Sequence, residues 1–141
     1  MTFGESITTC LTKFVTWQGR ASRSEFWYFW LFSILCYLGA MVIDQILGTT
    51  FDFIDPETGI ERSIGYGFAY ILVALGLFLP GLSAMVRRLH DTDRSGWWYW
   101  IILVPLIGAI VLLVWLCSRG TAGTNRFGFD PLNGDISLTF N

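Results

Sequence analysis

Charge is scarce in this chain. Only 14% of its 141 residues are Asp, Glu, Lys or Arg, against about a quarter in soluble domains. That shortfall argues against an ordinary water-solvated surface and points to lipid. The formal net charge of -2 implies nothing about nucleic acid, but the basic runs such binding needs are missing, so no nucleic-acid partner is expected. Cysteine is limited to Cys10, Cys36 and Cys117, an odd, widely spaced set without a CxxC pair. It suits neither metal nor redox work, and the three read as small hydrophobes. The only histidine, His90, has no second nitrogen or sulfur ligand near it to complete a zinc site. No nucleophile motif accompanies it, so no cofactor is expected and enzymatic activity is not. No signal peptide is expected, since residues 1–18 lack a continuous apolar core and a small-residue cleavage site. There is no internal repeat.

What the chain does have is long apolar runs, at 26–47, 65–86 and 97–117. Twenty-two residues of helix extend about 33 Å, enough for a hydrocarbon core of about 30 Å. Ser22 and Glu25 have capping-box spacing where the first run opens. Pro80-Gly81 and Pro105 fall inside the second and third runs and read as packing kinks. Ser95 or Asp93 is placed to cap the third. Trp27, Trp30, Trp97, Trp98, Trp100 and Trp115 cluster at run ends, where indole rings prefer the water–lipid boundary. Residues 1–18 carry Phe3, Ile7, Leu11 and Phe14 on one helical face, the pattern of a helix lying in the interface. Residues 48–64 read as an acidic connecting loop with strong turn chemistry at Asp55-Pro56-Glu57-Thr58-Gly59. Residues 118–141 read as an irregular polar tail with mobile last residues.

These features predict a single all-α membrane domain: an interfacial amphipathic helix, three transmembrane helices and the polar tail. Three crossings place Lys13, Arg20, Arg23, Arg87, Arg88 and Arg94 on one side, against Arg62, Arg119 and Arg126 on the other. The positive-inside bias then makes the N-terminal side cytoplasmic. A kinked third run that re-enters, with both termini inside, is the alternative.

The chemistry-bearing residues sit at the membrane boundary. Residues 87–98, RRLHDTDRSGWW, are too charged for hydrocarbon and read as a hairpin loop pinned at the surface. Arg20, Arg23, Arg87, Arg88 and Arg94 are candidates for binding anionic lipid headgroups or a partner, since guanidinium suits phosphate. Acidic residues among these arginines suggest structural pairing: Glu25 with Arg87 or Arg88, and Asp91 or Asp93 with Arg20, Arg23 or Arg94. His90 reads as a polar interfacial residue bonded to a neighbour. Asp44, an intramembrane carboxylate near the end of the first run, is a functional candidate by position, with water or Arg62 as its alternative partners.

Three segments, GRASRSEFW (19–27), RRLHDTDRSGWW (87–98) and GTAGTNRFGFDP (120–131), together resemble the YhaH-like proteins of bacterial inner membranes, a domain of unknown function. The third differs at Phe129, where the family usually has proline. The resemblance implies an integral inner-membrane protein and brings no catalytic residue or substrate with it. The expected function is therefore a non-enzymatic membrane subunit or interaction module, bound to lipid headgroups, a membrane protein partner or its own copies. A small oligomeric transporter or channel ranks second, and a membrane-bound enzyme acting on lipid third.

Overall fold

A computed structural model describes residues 1–132; the expectation for the remainder of the tail lies outside the described residues. Four α-helices and a two-stranded antiparallel sheet follow in the order α1 (Phe3–Thr12), α2 (Arg23–Leu47), β1 (Thr50–Ile54), β2 (Glu61–Gly67), α3 (Phe68–Asp91) and α4 (Ile107–Cys117). A 3-10 helix, Gly96–Leu103, precedes α4. The chain divides into two compact units, Met1–Phe29 with Pro80–Asn141, and Trp30–Leu79.

Two helices, α2 with 25 residues and α3 with 24, are long and apolar enough to cross a membrane. Only 17% of the most apolar stretch of each is buried inside the chain, whereas the core helix of a soluble protein would be mostly covered. Leu38, Ile46, Leu72, Leu75 and Phe78 all stand more than half exposed. Faces this apolar are solvated by acyl chains.

Four expectations need correction. The protein is mostly helical but not all-α, because the acidic connection folds as a β-hairpin. The β-branched and aromatic residues of TFDFI favour a strand. Its turn is held by the Gly59 N–H donating to the Asp55 carbonyl at 2.8 Å and the Glu57 N–H donating to Asp55 Oδ1 at 3.0 Å. Gly59 takes φ +66°, the left-handed region open to glycine.

The second correction concerns 87–91, which is the last turn of α3 and not loop. Arg88 and His90 there face the negative end of the helix dipole. Third, 97–117 is not one continuous helix. The 3-10 helix ends at Leu103, and Leu106 has φ +61° before α4 starts. Pro105 supplies no N–H to carry an α-helical ladder through. Pro80, by contrast, lies within α3, which continues past it. Fourth, the N-terminal helix is shorter than 1–18. It starts with a capping box between Thr2 and Glu5 and gives way to a turn after Thr12.

In the unit Trp30–Leu79, Asp44 is fully buried and joins the end of α2 to the start of α3. Its Oδ1 accepts from Thr49 Oγ1 at 2.7 Å and from the Ala69 N–H at 2.9 Å. Its Oδ2 accepts from the Gly67 and Tyr70 N–H groups, both at 2.9 Å. These amides are the orphan donors at a helix N-terminus, so one carboxylate caps α3. The suggested partner Arg62 instead pairs with Asp55 at 3.3 Å.

Candidate functional site

A helix end leaves four carbonyls without helical partners, and the end of α3 shows where the dense charge of 87–98 goes. The Arg87 carbonyl accepts from the Ala21 N–H at 3.0 Å, and the Asp91 carbonyl from the Thr121 N–H at 2.8 Å. The His90 carbonyl accepts from Asn125 Nδ2 at 2.9 Å. Donors from 19–27 and from 120–131 thus close the terminus of the helix that carries RRLHD. All three sequence segments meet there.

Side chains fasten the same junction. Asp91 receives Arg20 Nε on Oδ1 at 2.9 Å and Arg88 on Oδ2. Arg20 continues to the carbonyls of Thr121 and Gly123, each at 2.5 Å. Arg88 Nε donates to the Leu116 carbonyl at 3.0 Å, and its Nη2 to that of Ser118. One guanidinium therefore caps the C-terminus of α4 as well, where a cation is favoured. Glu25 pairs with Arg87, with the Cys10 thiol beside them at 3.7 Å from Arg87 Nη2. Ser22 Oγ accepts from the Glu25 N–H at 3.2 Å, which is half of the capping box; the Glu25 carboxylate is taken by Arg87 instead.

This network is closed to solvent. Arg87 and Arg88 are 1% and 0% exposed, and Arg20 is 8% exposed. Such burial is tolerable only where the charges are paired; among the described residues Arg87 Nε is the one buried side-chain nitrogen or oxygen without a hydrogen-bond partner. Three buried guanidiniums, Arg20, Arg87 and Arg88, pair with the buried carboxylates of Glu25 and Asp91, and buried Asp130 accepts from the Gly123 and Leu132 N–H groups at 3.2 and 2.9 Å. The Asp130 carboxyl is held below the usual carboxylate range, chiefly by the Leu132 N–H and also by the Gly123 N–H and nearby Arg20. Burial, followed by the neighbouring Glu25, pushes the Cys10 thiol up to about 11.

The five arginines named as headgroup candidates thus separate. Arg20, Arg87 and Arg88 lie buried inside the network. Arg23 is exposed, and Arg94 is half-buried with its guanidinium 4.6 Å over the Trp115 ring. Asp93 is outside the network, in an exposed pair with Arg126 at 3.1 Å. His90 sets Nδ1 3.2 Å from the Gly19 carbonyl and stacks on Phe127 at 3.9 Å. Among the described residues no group of three His, Cys, Asp or Glu side chains could hold a metal ion.

Sequence reasoning did not reach several members. Ser83 Oγ lies 2.8 Å from both the Lys13 and Thr16 carbonyls, and Ser6 Oγ donates to the Glu25 carbonyl at 2.5 Å. Gly120 lets the tail pass directly over Asp91, for a Cβ there would collide with its carboxylate. The only signal for the tail's part was that 120–131 stands out as a motif.

Two membrane-capable helices with a closed ionic cluster where their charged flanks meet define a small multi-pass membrane protein. The chain belongs to the family described as "Protein of unknown function (DUF805)", which it matches over residues 14–129. It is 38% identical over 121 residues to "Inner membrane protein YhaH" of Escherichia coli strain K12, covering 86% of this chain and 91% of that one. It is 41% identical over 124 residues to "Inner membrane protein YhaI" of the same strain, covering 88% and 92%. A more distant relative, "Uncharacterized protein YiiR", is 28% identical over 140 residues. No solved structure matches the chain. With relatives of this kind and helices of this length, the protein resides in the bacterial inner membrane.

Proposed function

We propose that this protein is a non-enzymatic inner-membrane subunit, an interaction module whose three motifs build a fixed face and not a reaction centre. One observation carries this reading: the buried charges are spent on one another and on backbone carbonyls, so they hold segments in place. What that face offers outward is Arg23 and Arg94 for anionic headgroups, and Arg126, Phe129 and Leu132 for a partner. Phe129 and Leu132 are 59% and 71% exposed, an apolar pair beside a cation of the kind that anchors protein contacts. A transport role would call on Asp44, whose oxygens are already occupied in capping α3. An enzymatic role would call on His90, which is stacked and bonded to Gly19.

Isolation of the tagged full chain from its own membranes in mild detergent tests the proposal. A stoichiometric protein partner or a defined homo-oligomer, lost in Phe129→Glu, is expected. A monomer without a partner at native expression level would refute it.

A further inference from the structure

Residues 96–117 pose a geometric question that their apolarity alone does not answer. The 3-10 helix of eight residues spans about 16 Å at about 2.0 Å per residue. The 11 residues of α4 span about 16 Å at about 1.5 Å per residue. Placed end to end, the limbs would cross a hydrocarbon core of about 30 Å; folded back, each would reach its middle.

The contacts decide between these. Trp98 near the start packs edge-to-face on Trp115 near the end, with ring centroids 5.4 Å apart. Arg94, before the first limb, lies over the same Trp115 ring. Arg88 reaches the Leu116 and Ser118 carbonyls, beyond the second limb. At the bend, Gly108 sits so close to the Ile101 carbonyl that a Cβ there would collide with it. Entry and exit are therefore side by side, and 104–106 is the tip.

We propose that 96–117 is a re-entrant hairpin: it dips into the acyl chains of the cytoplasmic leaflet and returns, leaving both chain ends on the cytoplasmic side. Its outward side chains fit that occupant. Leu103, Leu106 and Ile107 at the tip are 71%, 80% and 66% exposed, while Trp97, Trp98, Trp100 and Trp115 sit toward the mouth, where indoles favour the headgroup boundary. Lipid tolerates an irregular bend only if its polar backbone is satisfied. Here the Val104, Pro105 and Leu106 carbonyls accept from the Gly108, Ile107 and Ile110 N–H groups at 3.0, 2.7 and 3.1 Å. Pro105 has no N–H to satisfy.

Charge distribution agrees. With the tail on the hairpin's own side, Arg119 and Arg126 join the N-terminal cations, and Arg62 alone of nine Lys and Arg residues lies across the membrane. The positive-inside asymmetry becomes eight to one instead of six to three.

The test is topology mapping of the full chain in bacterial membranes. Green fluorescent protein fused after Asn141 should fluoresce as it does when fused before Met1, and alkaline phosphatase inserted after Thr58 should be active. Because a fusion can itself disturb folding, a second measurement uses the thiol of Thr124→Cys in a Cys117→Ser background. A membrane-impermeant maleimide should modify it only after the cells are broken. Active phosphatase after Asn141, or labelling of Thr124→Cys in intact cells, would overturn the hairpin and restore a third crossing.

Discussion

Replacing Asp91 by Asn changes almost no volume and isolates the charge between two buried guanidiniums. In the native chain Oδ1 takes Arg20 at 2.9 Å and Oδ2 takes Arg88. An amide keeps one acceptor, so one arginine would meet N–H groups and both would lose their counter-charge. Breaking a buried pair by removing one partner costs about 3–5 kcal/mol. At about 1.4 kcal/mol per tenfold, the folding equilibrium should fall by at least about two powers of ten. The internal control is Asp93→Asn. Its pair with Arg126 has side chains 49% and 61% exposed, and exposed pairs contribute at most about 1 kcal/mol. Reversible unfolding by sodium dodecyl sulfate in mixed micelles, followed by tryptophan fluorescence, measures both. Equal, small effects at 91 and 93 would refute the claim that the ionic cluster is closed and structural.

Three other expectations follow from single sites. Asp44→Asn leaves one acceptor for four donors and should destabilise by about 2 kcal/mol, at the top of the range for helix caps; faster hydrogen exchange at Gly67, Ala69 and Tyr70 is the local readout, and unchanged exchange would contradict the capping role. Gly120→Ala should lower stability by about 1–3 kcal/mol through overpacking against Asp91, more than Thr124→Ala, whose side chain is exposed; equal effects would remove the close approach from the account. For Cys10, a thiol raised to about 11 is protonated at pH 8 and becomes thiolate only as pH rises past that value. Alkylation at pH 8, read by mass spectrometry, should therefore modify exposed Cys117 quickly and Cys10 only in denaturant; comparable rates in the folded protein would count against its burial beside Glu25.

How far the sequence was readable depends on the kind of signal. The two long helices announce themselves through apolar runs, and the start of α2 through Ser22. Acidic residues among the arginines offered Glu25 to Arg87 or Arg88, and Asp91 or Asp93 to Arg20, Arg23 or Arg94; the structure has Glu25 with Arg87, Asp91 with Arg20 and Arg88, and Asp93 with Arg126. Backbone acceptors leave no such trace. Nothing in the letters GTAG shows that Thr121 and Gly123 lend carbonyls to Arg20. The density of charge in 87–91 read as loop because pairing across 71 positions with Arg20 is invisible locally. In the same way, 97–117 reads as one continuous helix by apolarity alone, although Pro105 lies where the helix is interrupted. The strands at 50–54 and 61–67 were missed because they are short and lie among acidic and turn-forming residues; their turn was plain from Asp55-Pro56.

The most direct measurement of the central claim is a double-mutant cycle between Glu25 and Arg87, which are 62 positions apart. Glu25→Leu and Arg87→Met are each expected to destabilise strongly, since each strands a buried charge, while the double variant recovers much of the loss, with a coupling above about 1.5 kcal/mol. Additive single effects would mean that these side chains do not meet, and that the three motifs are not joined in one buried cluster.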